Sequence, residues 1–239
     1  MKNAEENFAR RIAVNRYPGR GIVMGLAENG REAYQLYWIM GRSAGSRNRV
    51  LCARSGRVWT EAADPAKLAD PALLIYEAML EIVGCYLVSN GDHTRTLADG
   101  LLRGESFEQA LATREREPDA PHYTPRIAGM VRLVAGVPEF RFALLRANRC
   151  NPAFTDRSFH QLAPPAPGFG YGITTYEDDG NPLPSFEGDP LLLPLKGDPQ
   201  EILDGYFQAL DEENRIAMAL KSVDLASGAS QVLLAGRQK

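Results

Sequence analysis

The sequence predicts an α+β protein whose sheets are largely antiparallel. Three observations support this fold class. Apolar strand segments come in pairs joined by short turns, helical patterns are few, and the order is strands, two helices, strands, one helix and strands. No internal repeat or linker divides the 239 residues, so we expect a single domain over residues 1–239.

The first part of the chain predicts two hairpins. Residues 1–14 form a leader segment or a short helix ahead of them. Strands are predicted at 20–27 and 33–40, because the Asn-Gly pair between them suits a hairpin turn. A polar, arginine-rich loop at 41–48 leads into a second hairpin, with strands at 49–53 and 58–60.

The middle of the chain predicts two helices after an ambiguous apolar region. Residues 73–88 are apolar, and their pattern suits strands or a helix, so both remain open. Asp92 is positioned to cap a helix that runs to Arg103. Ser106 and Gln109 have the spacing of a capping box, which predicts a second helix ending near Arg114.

The last part of the chain returns to strands. Strands are predicted at 127–134 and 140–147, and residues 163–198 are so rich in Pro and Gly that we expect a long ordered loop around one strand at 172–176. Asp198-Pro199 begins a helix. Two final strands are predicted at 215–223 and 231–235.

Composition excludes several classes of protein. Apolar residues make up 44% and charged residues 24% of the chain, as in ordinary globular proteins, and no apolar run approaches a membrane span. The net charge of −3 argues against a nucleic-acid partner. The three cysteines form no Cys-x-x-Cys pair, which argues against a zinc site or a disulfide framework and suits a reducing compartment. The polar N-terminus shows no secretory signal, so we expect a cytoplasmic protein. We expect no membrane anchor and no bound metal either.

One stretch of sequence is strongly basic. Residues 33–60 contain five arginines and no acid, although the chain as a whole is acidic. These arginines are Arg42, Arg47, Arg49, Arg54 and Arg57. Arginine forks bind phosphate with two hydrogen bonds, but a solvated basic turn would have the same composition. The segment Tyr17–Gly21 is either only a turn that enters a strand or also places Arg20 beside this stretch, because the first hairpin brings its two outer ends together.

A second group of polar residues lies around residues 89–126. Ser89-Asn90-Gly91-Asp92 is a turn at a helix start, which serves either as a cap or as a ligand loop. Glu115, Glu117 and Asp119 alternate along a proline-containing segment that we expect to be extended. Side chains two residues apart share a face of an extended chain, so the pattern does not choose among the three acids.

Seven short stretches together resemble the IMP cyclohydrolases of the archaeal type and their bacterial relatives. They are Tyr17-Pro-Gly-Arg-Gly21, Met40-Gly-Arg-Ser43, Ser46-Arg-Asn-Arg49, Ile75-Tyr76, Ser89-Asn-Gly-Asp-His-Thr94, Thr124-Pro-Arg-Ile-Ala128 and Thr175-Tyr176. The resemblance implies a four-layer αββα sandwich similar to the N-terminal-nucleophile hydrolases, but without their self-processed nucleophile. It also implies closure of 5-formamidoimidazole-4-carboxamide ribotide (FAICAR) to IMP, the last step of purine synthesis, with a small nucleotide as substrate and no cofactor.

The resemblance also assigns candidate site residues. It aligns Arg49, Tyr76 and Glu117 with the family's catalytic set, as charge stabiliser, proton donor or orienter, and general base. Residues implied to bind substrate are Arg20, Arg42, Ser43, Asn48, Asn90, Gly91, Thr124 and Arg126. The chemistry suits these residue types, because an amide nitrogen is a poor nucleophile and needs a base, an oxyanion donor and tight positioning.

Two other functions compete with this interpretation. An amide hydrolase of the same fold would use Cys52 or Ser43 as nucleophile, but no histidine nearby in sequence supplies a base. A purine-nucleotide-binding protein without catalysis would keep the arginines. The sequence leaves the oligomeric state open, a homo-oligomer included.

Overall fold

Two antiparallel sheets face each other in the computed structural model, which describes residues 2–67 and 71–236. The first sheet has six strands, in the order β11-β10-β1-β2-β12-β13. These strands are β1 (Gly21–Leu26), β2 (Glu32–Met40), β10 (Phe169–Thr174), β11 (Leu191–Pro194), β12 (Arg215–Asp224) and β13 (Ser230–Gly236).

The second sheet has seven strands arranged in sequence order. They are β3 (Arg49–Arg54), β4 (Arg57–Ala62), β5 (Glu77–Ile82), β6 (Cys85–Ser89), β7 (Arg126–Val134), β8 (Val137–Ala147) and β9 (Thr155–Leu162). Each strand of this sheet therefore pairs with its neighbour in the chain, as hairpin connections allow.

Helices cover the outer faces of both sheets. They are α1 (Lys2–Asn7) with a π-helical continuation (Phe8–Ala13), α2 (Ala44–Arg47), α3 (Pro71–Leu74), α4 (His93–Leu102), α5 (Phe107–Leu111) and α6 (Pro199–Ala209), with a 3₁₀ turn at Pro65–Lys67. None of the helices in the described ranges is long and apolar enough to cross a membrane.

Three apolar clusters define four layers. Ile22 and Met24 of β1 pack into the cluster between the sheets, whereas Val23 belongs to the cluster under the N-terminal segment and α6. Leu97 of α4 and Phe107 of α5 lie in a third cluster, against the outer face of the seven-stranded sheet. Every residue of β1 is buried because both faces of its sheet are covered. The predicted α+β fold with two stacked antiparallel sheets is thereby confirmed.

Several local predictions are confirmed by side-chain contacts. Ser106 and Gln109 form the expected capping box at α5, and α6 begins at Pro199 directly after Asp198, as expected. The leader is helical, and its Ile12 is fully buried against the six-stranded sheet, so it belongs to the fold.

Other local predictions are wrong. Asp92 does not cap α4, because its carboxylate accepts hydrogen bonds from Arg114 and Arg126 instead of from the helix backbone. Strand β9 was not predicted, since its side chains are polar and half-buried and no apolar alternation marks it. The proline-rich region holds two strands, β10 and β11, where one was expected.

Candidate active site

Several residues with proposed roles meet at one end of the sandwich, where Arg20, Arg42, Ser43 and Thr124 line one cavity and Glu117 pairs with Arg20. Arg20 directly precedes β1, and Arg49 is the first residue of β3. Tyr76 directly precedes β5, and Arg126 is the first residue of β7. Because neighbouring strands are antiparallel, the start of β1 lies beside the ends of β2 and β10. The first hairpin therefore brings Arg20 and the basic loop to the same cavity.

A buried ion pair is the central feature of this end. The Arg20 guanidinium lies 2.6 Å from a carboxylate oxygen of Glu117, and the two side chains are only 12% and 6% exposed. The backbone N–H of Arg20 donates to Thr175 Oγ1 at 3.1 Å, and that of Glu117 donates to the carbonyl of Thr124 at 3.0 Å. Both partners are thus fixed by backbone contacts as well as by each other.

Burial controls the ionisation of this pair. Burial raises the pKa of the Glu117 carboxyl, and the nearby charge of Asp119 adds to the rise, while the positive charge of Arg20 opposes it. Burial lowers the pKa of Arg20, but the charge of Glu117 and the neighbouring tyrosine hydroxyls together raise it well above its ordinary value, so the guanidinium stays protonated. A raised pKa is the direction that a carboxylate needs to act as a base near neutral pH.

Two tyrosine hydroxyls meet beside this ion pair. Tyr37 Oη and Tyr76 Oη lie 2.6 Å apart, and both rings are buried. Burial and the neighbouring Tyr76 raise the pKa of Tyr37, so its phenol stays protonated. The backbone of Tyr76 is held on Thr60, whose Oγ1 accepts from the Tyr76 N–H at 2.9 Å.

Arg49 is a buried cation near the tyrosine pair. Only 1% of the residue is exposed. Its Nε donates to the carbonyl of Ser46 at 2.9 Å, and one terminal nitrogen donates to the carbonyl of Met40 at 3.4 Å. Its other terminal nitrogen has no hydrogen-bond partner among the residues that the structure describes. Arg49 therefore has one buried N–H group without a partner among them, although it does not itself line the cavity beside Arg20.

A cavity of about 310 Å³ opens beside the ion pair of Arg20 and Glu117. It is lined by Tyr17, Arg20, Arg42, Ser43, Ser46, Asp119, His122, Thr124, Tyr176 and Leu183. Its volume and mixed polar lining suit a small polar ligand. Arg20 lines the cavity and also pairs with Glu117, so it connects the cavity to the buried ion pair.

Arg42 and Ser43 lie at the mouth of this cavity. The Arg42 guanidinium stacks over the ring of Tyr17, 4.8 Å from its centroid, and pairs with Asp179. Ser43 caps α2, since its Oγ accepts from the backbone N–H of Ser46 at 3.1 Å. This small-residue turn leaves the positive charge of Arg42 within reach of the opening.

The loop before β7 separates the three candidate acids. Glu115 pairs with Arg157 at 2.6 Å and is 58% exposed, whereas Glu117 is buried. Asp119 accepts the Thr124 N–H at 2.6 Å, and its own carbonyl closes a turn at residues 120–122. The three acids therefore have different surroundings, and of the three only Glu117 pairs with Arg20.

Five residues that line the cavity were not among the predicted site residues, namely Tyr17, Ser46, His122, Tyr176 and Leu183. Tyr176 Oη lies 2.5 Å from Thr124 Oγ1, and Asp119 also accepts from that hydroxyl. His122 lines the cavity, and its Nδ1 accepts from the Leu183 N–H at 3.2 Å. The Thr175-Tyr176 pair was a recognised stretch and could have signalled Tyr176, but a lone His122 carries no such signal.

The side-chain amides of two predicted substrate-binding residues form hydrogen bonds to the protein backbone. The Asn48 amide donates to the carbonyl of Asp64 at 2.8 Å and accepts from its N–H at 2.7 Å. The Asn90 amide donates to the carbonyl of Pro125 at 2.9 Å and accepts from the N–H of Ile127 at 2.8 Å. Both amides thus fix the loops that carry Arg49 and Arg126, and their contact with substrate stays a prediction.

Arg126 is also tightly held. It donates to Asp92 at 2.8 Å and lies 3.3 Å from Nδ1 of His93. A Cβ atom on Gly91 would lie 2.6 Å from its guanidinium, so a glycine is needed here for close approach. Burial and the positive charge of Arg126 lower the pKa of His93 to about 3, so the imidazole is neutral.

No metal-binding group of three or more His, Cys, Asp or Glu residues is found in the described part of the chain.

The two-sheet α+β fold thus carries a buried carboxyl, arginines and paired phenols at one end, an arrangement that suits acid–base chemistry. A family profile described as IMP cyclohydrolase-like protein matches residues 17–227. The chain belongs to this family, and the matched range includes all the candidate site residues above. No curated protein matches the chain significantly.

Proposed function

We propose that this protein closes FAICAR to IMP with loss of water. Membership of the IMP cyclohydrolase-like family supports this reaction class. The observation that carries the proposal is the position of Glu117. It is a buried carboxyl of raised pKa, paired with an arginine that lines a cavity of ligand size.

The reaction needs one base and one stabiliser of negative charge. The carboxamide nitrogen loses a proton as it forms a bond to the formyl carbon, and the formyl oxygen takes up a proton to become a hydroxyl. That hydroxyl then leaves as water, while the former formamide nitrogen loses its proton and the ring gains its double bond. An amide nitrogen is a weak nucleophile, so proton removal and orientation dominate the barrier.

Each role has a candidate residue. Glu117, in its ionised form, accepts the proton of the carboxamide nitrogen, and Arg20 orients it through their 2.6 Å contact. Arg49 stabilises the developing oxyanion with its spare terminal nitrogen, as a preorganised donor does in a site that excludes water. Tyr76 supplies or orients a proton, with Tyr37 fixing its hydroxyl at 2.6 Å.

The cavity mouth suits the phosphate of the substrate. Arg42 offers a guanidinium at the opening, and Ser43 lies beside it. Thr124 lines the same cavity, and its hydroxyl is positioned by Tyr176 at 2.5 Å to meet a polar group of the ligand. Arg126 lies behind these groups and contributes positive charge near Glu117.

Product analysis tests the proposal against its two competitors. Purified protein is incubated with FAICAR in the presence of a chelator, and the products are separated by chromatography. A cyclohydrolase gives IMP, an amide hydrolase gives 5-aminoimidazole-4-carboxamide ribotide and formate, and a nucleotide-binding protein gives neither while still binding FAICAR.

A pair of arginine variants tests where the phosphate of the substrate binds. Arg42→Gln removes a charge at the cavity mouth and is expected to raise KM about tenfold or more, because a charge-assisted phosphate contact is lost. Arg31→Gln, on an exposed turn of the six-stranded sheet, is the matched control and keeps the wild-type KM. An unchanged KM in Arg42→Gln would reject the placement of the phosphate.

A further inference from the structure

A second and larger cavity lies at the β3–β4 edge of the seven-stranded sheet. Its volume is about 610 Å³. It is lined by Arg54, Ser55, Arg57, Trp59, Thr60, Ile75, Tyr76 and Glu77. Apart from Tyr76, none of these residues takes part in the proposed reaction, so the cavity needs its own explanation.

The strand register places the indole and both arginines on one face. Arg54 lies opposite Arg57, and Cys52 lies opposite Trp59. Residues directly opposite each other and residues two apart in a strand share a face, so Arg54, Arg57 and Trp59 project together. Val58 faces the core between the sheets, which puts this set on the outer face.

Within the described residues, α4 and α5 do not extend over this part of the sheet. The outer apolar cluster is built by α4 and α5 with residues of β5 to β8, and among the described residues it includes none from β3 or β4. The outer face of β3–β4 instead presents Trp59, which is partly exposed, between charged side chains. An aromatic ring flanked by arginines is a surface suited to a planar, negatively charged ligand.

The charges at this cavity leave one guanidinium available. Arg57 and Arg95 both pair with the carboxylate of Glu77. The Trp59 indole N–H donates to Glu61 at 2.7 Å, which fixes the ring. Within residues 2–67 and 71–236, no hydrogen bond or ion pair occupies the guanidinium of Arg54, which is exposed. A bound anion would therefore meet a free cation beside an ordered aromatic ring.

We propose that this cavity is a second ligand site, which binds a planar heteroaromatic ring bearing a phosphate, such as a purine nucleoside monophosphate. The ring stacks on Trp59, and the phosphate accepts from Arg54, with Arg57 beside it. The volume of 610 Å³ accommodates a ligand of that size.

The site touches the candidate active site through one residue. Tyr76 lines this cavity, while its hydroxyl meets Tyr37 between the sheets at 2.6 Å. Thr60 also lines the cavity and holds the backbone of Tyr76. Its Oγ1 accepts from the Tyr76 N–H, and its backbone N–H donates to the Tyr76 carbonyl. A ligand in the cavity would thus contact the segment that positions Tyr76. This coupling rests on the proposed function, whereas the binding itself does not.

Fluorescence of Trp59 tests binding without any turnover. Wild-type protein is titrated with AMP, and with adenosine and inorganic phosphate as separate probes. We expect saturable quenching by AMP, about tenfold or more weaker in Arg54→Gln, because the phosphate loses a charge-assisted contact. Trp59→Phe should lose the signal, which separates it from the buried Trp38. Arg31→Gln serves as the matched control and should titrate like the wild type.

Other results of these titrations would overturn the proposed AMP site. No quenching by AMP, or equal quenching in Arg54→Gln, would overturn the site. Loss of AMP binding in Arg42→Gln with retention in Arg54→Gln would place the ligand in the cavity between the sheets and also overturn it. Saturating AMP should change the rate of FAICAR closure in wild type and not in Arg54→Gln, and an unchanged rate would refute the coupling through Tyr76.

Discussion

Replacing Glu117 by Gln probes the proposed base directly. The variant keeps the size of the side chain and an oxygen that can accept from Arg20 at the same position. It removes the negative charge and the ability to take a proton. Because the side chain is only 6% exposed, bulk water has little access to replace the lost base.

The size of the effect follows from the role. A positioned general base contributes roughly 10²–10⁴ in rate, which corresponds to about 3–5.5 kcal/mol in the activation barrier. We expect turnover to fall by that factor while the affinity for FAICAR changes little. The variant also leaves Arg20 buried without its counter-charge, so its free energy of unfolding should fall, by up to about 3–5 kcal/mol.

Two neighbouring acids serve as matched controls in the same loop. Glu115→Gln breaks only an exposed pair with Arg157, which contributes about 0–1 kcal/mol, and should stay within about tenfold of the wild-type rate. Asp119→Asn should also stay within about tenfold. Initial rates of IMP formation are measured by chromatography, and thermal unfolding confirms that each variant is folded. A folded Glu117→Gln with wild-type turnover would refute the assignment of the base.

Three further substitutions test the site and its scaffold. Arg49→Gln should slow turnover roughly ten- to hundredfold at equal protein folding, and Arg31→Gln should not; equal rates for the two variants would contradict the role of Arg49. Gly19→Ala puts a Cβ 2.1 Å from a threonine hydroxyl at a φ of +73°, whereas Gly104→Ala, at +85°, meets nothing within 4 Å. Urea unfolding should therefore show a clearly larger loss for Gly19→Ala than the loss of about 1 kcal/mol expected for Gly104→Ala. His93 has a pKa of about 3 in the folded protein and about 6.5 when unfolded, so the unfolded state binds more protons between these values and stability falls as pH drops below about 6.5. The loss from this group is roughly 2 kcal/mol at pH 5, and unfolding curves of His93→Gln at pH 7 and pH 5 should lack it.

Features set by local sequence were predictable. The capping box at Ser106 depends on two residues three positions apart, the start of α6 depends on Asp198-Pro199, and the first hairpin depends on its Asn-Gly turn. That hairpin also offered the position of Arg20 near the basic loop as one of two alternatives, and the structure shows it, because antiparallel strands bring their outer ends together.

Features set by distant contacts were not predictable. Strand β9 is polar along its length and exists because it pairs with β8 at the edge of the sheet. Tyr37 meets Tyr76 only because the two sheets stack, a contact between segments 39 residues apart. The local pattern favoured Asp92 as a helix cap, but two arginines from later segments take its carboxylate.

We propose that the residues around Glu117 catalyse the closure of FAICAR to IMP. The most direct measurement is the initial rate of IMP appearance from FAICAR with purified wild-type protein, minus the rate in the same mixture without protein. We expect a rate that is proportional to protein concentration and saturates with FAICAR. IMP that accumulates no faster than in the protein-free mixture, although FAICAR binds to the folded protein, would contradict it.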